Sequence, residues 1–452
     1  MSASKRWPFL LTLACVFLVA ACDDSRGTLA TDLRTETSIS DSDNTLIVTT
    51  ADELVAALAP ENAGRRILVR SGVYDIHQPL TVPDGVTLEG EGTMLTDNEG
   101  LPLGFGSDAH ATLRMMTNVA GDVLTLGNGV TIRRLEIDDL TGRSGNVVAI
   151  YSRSPGDTVA ANIVESEIVN ANSTFYGLYM QTRNLNLGNA PAPHEGAELD
   201  VRMTKSLLRS SAGGRGVFAF NFAPQAKVAL TLTGNVLGGI TANGGVSLPD
   251  AVHDSEVQIE SHGNIYRNEV SALCSPSAIG WNLTGGSGAP VPVAVSETSH
   301  NTLSMHSVGD RIDGFTTAVL GGGGRRYFGA PLAGPTNDNT LNLDLIGTAL
   351  STPSCGGATF IRDLDLKGAF SASSTLTPGN GNVLHAVIRN VTGSGSRYNF
   401  YADAGESSTP LPAATAGTGN RLEIVGNSAS FARTNRNIDP APDAVFFTGK
   451  SN

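Results

Sequence analysis

Leu80-Thr81-Val82-Pro83-Asp84-Gly85-Val86-Thr87-Leu88-Glu89-Gly90-Glu91-Gly92 decides how this chain is built. Two short runs with apolar residues at alternate positions flank a Pro-Asp-Gly corner. Proline presets one turn angle and glycine accepts a positive φ at no steric cost, so the backbone must bend there. Upstream, Ile67-Leu68-Val69 and Gly72-Val73-Tyr74 repeat the theme with glycine between them. The segment therefore reads as short strands that change direction every few residues.

Further upstream, Thr50-Ala51-Asp52-Glu53 fits a capping box, in which the threonine side chain and the glutamate satisfy free backbone N–H groups reciprocally. The helix that follows presents Leu54, Val55 and Leu58 on one side, and Pro60 and Gly64 mark its end. One short helix before a long β region suggests a lid over an exposed terminal coil, which would otherwise recruit other chains. Arg70 to Gly92 resembles the opening coil of the pectin-lyase-like β-helix superfamily. The resemblance implies an all-β chain, a right-handed parallel β-helix with a short N-terminal capping α-helix. Enzymes of that superfamily act on polysaccharides with carboxylates, basic residues and, in some members, calcium on one face. The fold says nothing of activity by itself.

The rest of the chain carries a loose repeat. Val130-Thr131-Ile132 and Leu135-Glu136-Ile137 flank a turn at Arg133-Arg134. Leu230 to Asn235, Val257 to Asn264 and Leu303 to Asp310 each run from an alternating strand into Gly-Asn or Gly-Asp. Related strands begin near Asn339, Asn382 and Asn420, at spacings of roughly 30 to 45 residues, within the solenoid range. Stacked coils ~4.8 Å apart bury a continuous apolar column that one coil cannot bury alone. Eight to ten coils are expected, with Asn235, Asn264 and Asp310 as a ladder of hydrogen-bonded corners. A β-propeller fits less well, because aromatic content is 6% and no blade motif recurs. A jelly roll or sandwich would also give many short strands, but not the lid and the first coil.

At the N-terminus, Lys5 and Arg6 precede an apolar run from Phe9 to Ala21, too short to span a bilayer and typical of a signal peptide. Val19-Ala20-Ala21-Cys22 resembles the lipobox of bacterial lipoproteins. That resemblance implies cleavage before Cys22, acylation of its thiol, and a lipid anchor in the bacterial cell envelope. Asp23, next to it, points to inner-membrane retention. The expected domains are thus a signal peptide over 1–21, a Thr/Ser/Asp-rich tether over 22–44, and the β-helix over 45–452. Loss of Lys5 and Arg6 with the signal moves the formal charge from −13 to −15. An acidic surface argues against nucleic acid and bare polyanions as partners. Cys274 and Cys355 remain in a compartment that permits a disulfide. Strand alignment puts them about two coils apart, roughly 9–10 Å, beyond the ~7 Å a bridge spans unless their loops lean together. Neither has metal-ligand neighbours, so no metal site is expected.

No known catalytic set carries over. Asp138-Asp139 is a pair, but adjacent residues on an extended segment point to opposite faces, and a solvated turn explains them better. Ser261-His262-Gly263 echoes the Gly-His-Gly of polygalacturonase-like hydrolases, whereas Arg311-Ile312-Asp313 has aspartate where their separate Arg-Ile-Lys has lysine. Two insertions are candidate ligand loops: Gly188 to Gly196 with His194, and Gly321 to Asn337 with Arg325, Arg326 and Tyr327, which suit an acidic sugar through charge and ring stacking. The glycine run there lacks the lysine and serine of a phosphate loop. The expected function is an envelope-anchored β-helix lipoprotein that binds glycans or a partner without catalysis. The competing classes are a polysaccharide lyase or glycoside hydrolase with an unrecognised site, and a structural spacer or adhesin.

Overall fold

The computed structural model describes residues 44–107, 109–139, 145–171, 175–182, 194–210, 216–221, 223–244, 252–268, 277–283, 298–315, 317–323, 336–351, 360–366, 381–393, 397–398, 421–426 and 445–448. The signal segment, Cys22 and nearly all of the tether lie outside them. So do Cys274, Cys355, Arg325, Arg326 and Tyr327.

The body is a right-handed parallel β-helix whose described residues form three long sheets of thirteen, nine and ten strands. A coil in the middle of the body gives one strand to each sheet. In one coil, Thr158–Val164 lies in the first sheet, Glu167–Asn170 in the second and Leu178–Gln181 in the third. Each pairs in parallel with its successor: Thr158 with Glu198, Glu167 with Leu207, Leu178 with Val217. Thirteen strands exceed the eight to ten coils expected, because the first coils carry no insertions. Thr45 pairs with Arg66, whereas Glu256 pairs with Thr302.

Alternate residues point inward and stack. Leu199, Val201 and Met203 sit between Val159, Ala161 and Ile163 on one side and Val228, Leu230 and Leu232 on the other, all buried. Burying each larger side chain contributes about 1.5–3 kcal/mol, and period-two alternation puts that gain on the inner face of every strand. The cap is the helix Ala51–Ala57, which buries Leu54 and Ala57. Thr50 Oγ1 accepts the Glu53 N–H at 3.2 Å, as a capping box requires. Glu53 reaches back one residue further than expected, to the N–H of Thr49 at 2.7 Å and its hydroxyl at 2.8 Å.

The corner from first to second sheet repeats one device. A left-handed residue (Arg134, Glu165, Lys205, then Gly234, Gly263 and Gly309) is followed by a buried one. From the second of these coils onward that buried residue is polar. Asn235 donates its N–H to Asn264 Oδ1 at 2.8 Å, and Asn264 donates to Asp310 Oδ1 at 2.7 Å, which is the expected ladder. It extends back through Ser206, whose N–H donates to Asn235 Oδ1 at 2.9 Å, and Ser166. A second ladder stands at the corner entering the first sheet. There Asn301 donates to Asn339 at 2.9 Å and Asn339 to Asn382 at 3.1 Å. Asn339 and Asn382, which the repeat pattern suggests as strand starts, are therefore corner rungs one residue before the strands.

Candidate functional site

On the second sheet the same alternation sends a set of charged residues outward. Ile137 and Ile168 are buried, so Glu136, Asp138 and Glu167 face out. Register places Glu136 beside Glu167, and Asp138 between Arg114 and Val169. Three carboxylates thus share one face. Asp138 and Asp139 do point to opposite faces, but they lie on the strand Glu136–Asp139 rather than in a solvated turn, and Asp139 is 0% exposed. Asp138 instead shares its outward face with Glu136, two residues back.

An antiparallel hairpin, Met94–Thr96 with Pro102–Phe105, lies over part of this face. Leu101 packs against the outward side chains of Leu207, Val236 and Ile265. The Phe105 N–H donates to Glu167 Oε2 at 3.1 Å, and Arg209 donates from Nε to Glu167 Oε1 at 2.7 Å and from Nη2 to the Leu103 carbonyl at 3.3 Å. Gly104 permits this approach. Its φ is +108°, and a Cβ there would stand 2.8 Å from Glu167 Oε2. The Phe105 ring stacks on His110 with centroids 4.8 Å apart, and His110 Nε2 lies 2.6 Å from Glu136 Oε2. Arg114 makes a two-point contact with Asp75, at 2.8 and 2.7 Å.

Burial lifts the Glu136 carboxyl above its ordinary range. The hydrogen bond from His110 opposes the shift, and the negative charges of Glu167 and Asp138 add to it. Burial lifts Asp138 as well, with Arg114 opposing and Glu167 adding. Both follow from desolvation plus like charge, the combination that tunes carboxyls for proton transfer. Glu136 and His110 each keep 21% of their side-chain surface exposed, so solvent and ligands reach them. The arrangement can hold a proton between Glu136 and His110 and release or accept it at a second carboxyl on the same face. Among the described residues no three His, Cys, Asp or Glu side chains converge as a metal site would require.

The ligand-loop residues expected from the sequence are not brought here. His194 stands beside the third sheet, sharing a 2.7 Å hydrogen bond with Ser152 through Nδ1. Arg325, Arg326 and Tyr327 lie outside the described residues. His262 is on the first sheet, half-buried and 3.5 Å from Glu260. The signal that finds Glu136 and Asp138 is their i, i+2 spacing within an otherwise alternating strand.

Fold and site together define a right-handed parallel β-helix protein with a partly roofed acid–base cluster on one outer face. No protein-family model and no curated protein matches the sequence. Solved structures similar to this chain include the Dettilon tailspike protein, at TM-score 0.39 and 12% identity over 90% of this chain and 68% of that one. Another is the A-module of a mannuronan C-5 epimerase from Azotobacter vinelandii, at 0.38 and 11% over 90% and 97%. A third is the DFA-IIIase from Arthrobacter chlorophenolicus A6, at 0.37 and 9% over 87% of each chain. Likenesses this distant carry no substrate or activity across.

Proposed function

We propose that this protein is a lipid-anchored envelope enzyme that hydrolyses glycosidic bonds at the outer face of its second sheet. The observation that carries this reading is the pair Glu136 and Asp138, side by side on one face and both held above the ordinary carboxyl range. Glu167 beside them is occupied by Arg209 and the Phe105 amide. Glu136, coupled to His110, is the proton donor to the leaving oxygen. Asp138, next to Arg114, accepts a proton from the attacking water as the carbon–oxygen bond breaks. Side chains two residues apart on a strand are attached roughly 6.6 Å apart, comparable to the roughly 6.5–9.5 Å that leaves room for a water between acid and base.

Incubating the purified body with neutral and acidic polysaccharides, with and without calcium, tests the reading. New reducing ends that disappear in Glu136→Gln support hydrolysis, and unsaturated ends would replace it with elimination. A second reading, glycan binding without catalysis, is favoured by one fact: Glu167, Arg209 and His110 also hold the hairpin in place. Binding with no new ends of either kind would select it. The anchor is tested separately. Cys22→Ser should move the protein from the membrane fraction to the soluble one.

A further inference from the structure

On a different face, a cleft of about 630 Å³ opens between the capping helix and the outer side of the third sheet. One wall is apolar, formed by Val55, Leu58 and Pro60. The floor carries Thr81 and Thr125, paired in register on adjacent strands and both outside the core. Neither hydroxyl has a hydrogen-bond partner in the protein among the described residues, and the same holds for the Gln78 amide at the edge. The cleft thus has hydrophobic surface on one side and donors and acceptors open to a ligand on the other.

Its rim fixes the charge a ligand can carry. Arg153 donates from Nη1 to both oxygens of Asp84 at 2.9 Å and from Nε to Asp157 at 3.1 Å. Asp84 and Arg153, the charged residues of the lining, neutralise each other, and Asp157 behind them also holds the guanidinium, so the rim offers no spare cation to an anion. An acidic sugar or phosphate would find no free cation to neutralise it. The polar floor equally disfavours an acyl chain, which would leave those hydroxyls and the amide dry and unpaired. A neutral sugar matches both sides, with C–H faces against the apolar wall and hydroxyls on the threonines, Gln78 and the half-exposed Asp84. The volume lies within the range of small-ligand sites.

We propose that this cleft is a second saccharide site, which holds a neutral oligosaccharide without acting on it. Asp84 and Asp157 are both tied to Arg153 and present no acid–base pair, so retention rather than cleavage is its role.

The test uses the full chain carrying Glu136→Gln, which silences the face proposed to be catalytic and leaves this one intact. Laminarihexaose, cellohexaose and maltohexaose serve as neutral probes, and hexagalacturonate as the acidic one, with binding followed by calorimetry. At least one neutral probe should bind, and Thr125→Trp should weaken it roughly tenfold or more, because the indole occupies the ligand's space. Thr81→Trp, on the neighbouring strand, gives the same readout if the first variant unfolds. Absence of binding by all three neutral probes, stronger binding of hexagalacturonate, or full affinity in a folded tryptophan variant would each overturn the proposal.

Discussion

Two polar clusters in this protein contain carboxyls pushed upward by burial, and they have opposite characters. Inside the coil, Asp310 accepts from Asn264 N–H at 2.7 Å and from the hydroxyls of Ser261 and Ser307, each at 2.6 Å. Ser261 in turn lies 2.6 Å from the Tyr266 hydroxyl. Every direction around Asp310 is filled and no solvent arrives. On the outer second sheet, Glu136 and Asp138 face water, a histidine and an arginine. A raised carboxyl pKa is therefore not a sign of chemistry by itself. Access, and a second titratable group to exchange a proton with, make the difference.

Four changes would break or sharpen that contrast. The largest effect is expected outside. Glu136→Gln should lower kcat/KM on a cleaved glycan by about 10²–10⁴, the usual worth of a general acid or base, with an unchanged unfolding midpoint. If turnover is unaffected, the outer cluster is as purely structural as the inner one. Inside, Asp310→Ala leaves the Asn264 N–H and the Ser307 hydroxyl unmet, while Ser261 keeps Tyr266. It should cost about 3 kcal/mol in urea unfolding with no direct effect on turnover. Leu101→Ala should free the hairpin by about 1–2 kcal/mol, below the 2–5 kcal/mol of a closed core site. Faster hydrogen exchange at the Phe105 amide, without a lower global midpoint, is the readout.

The smallest effect is in pH dependence. Burial raises the Asp310 carboxyl in the folded state. The folded protein therefore holds its proton more tightly than the unfolded chain, and stability falls as pH rises from the unfolded value through the folded one. Asp310→Asn keeps an oxygen for Asn264 and removes the charge, so the loss of stability from acid to neutral pH should flatten. An identical slope in the variant would show that hydrogen bonds already offset the burial.

The hairpin shows why the outer site was not legible in advance. Met94 to Phe105 contains no residue that announces where it will lie, and its seat is assembled from Leu207, Val236 and Ile265 on three later coils. Those residues are apolar at outward positions, which the alternating pattern alone would class as anomalies. Glu136 was in plain view within a strand, yet its environment comes from His110 and Glu167, brought in by neighbouring coils.

What the sequence determined alone is whatever depends on local geometry and repetition. Alternation fixed the inner face, turn residues fixed the corners, and Asn235, Asn264 and Asp310 announced a ladder because identical corners stack at a fixed interval. The helix lid was likewise written in Thr50 and Glu53. Only the tertiary structure decided that Asp139 is buried while Asp138 lies on the outer face, that the early hairpin folds across the later coils, and that a helix and a sheet leave a cleft between them. Those outcomes depend on the register between coils of unequal length. No local pattern encodes that register, because insertions can lengthen any coil without changing its strands.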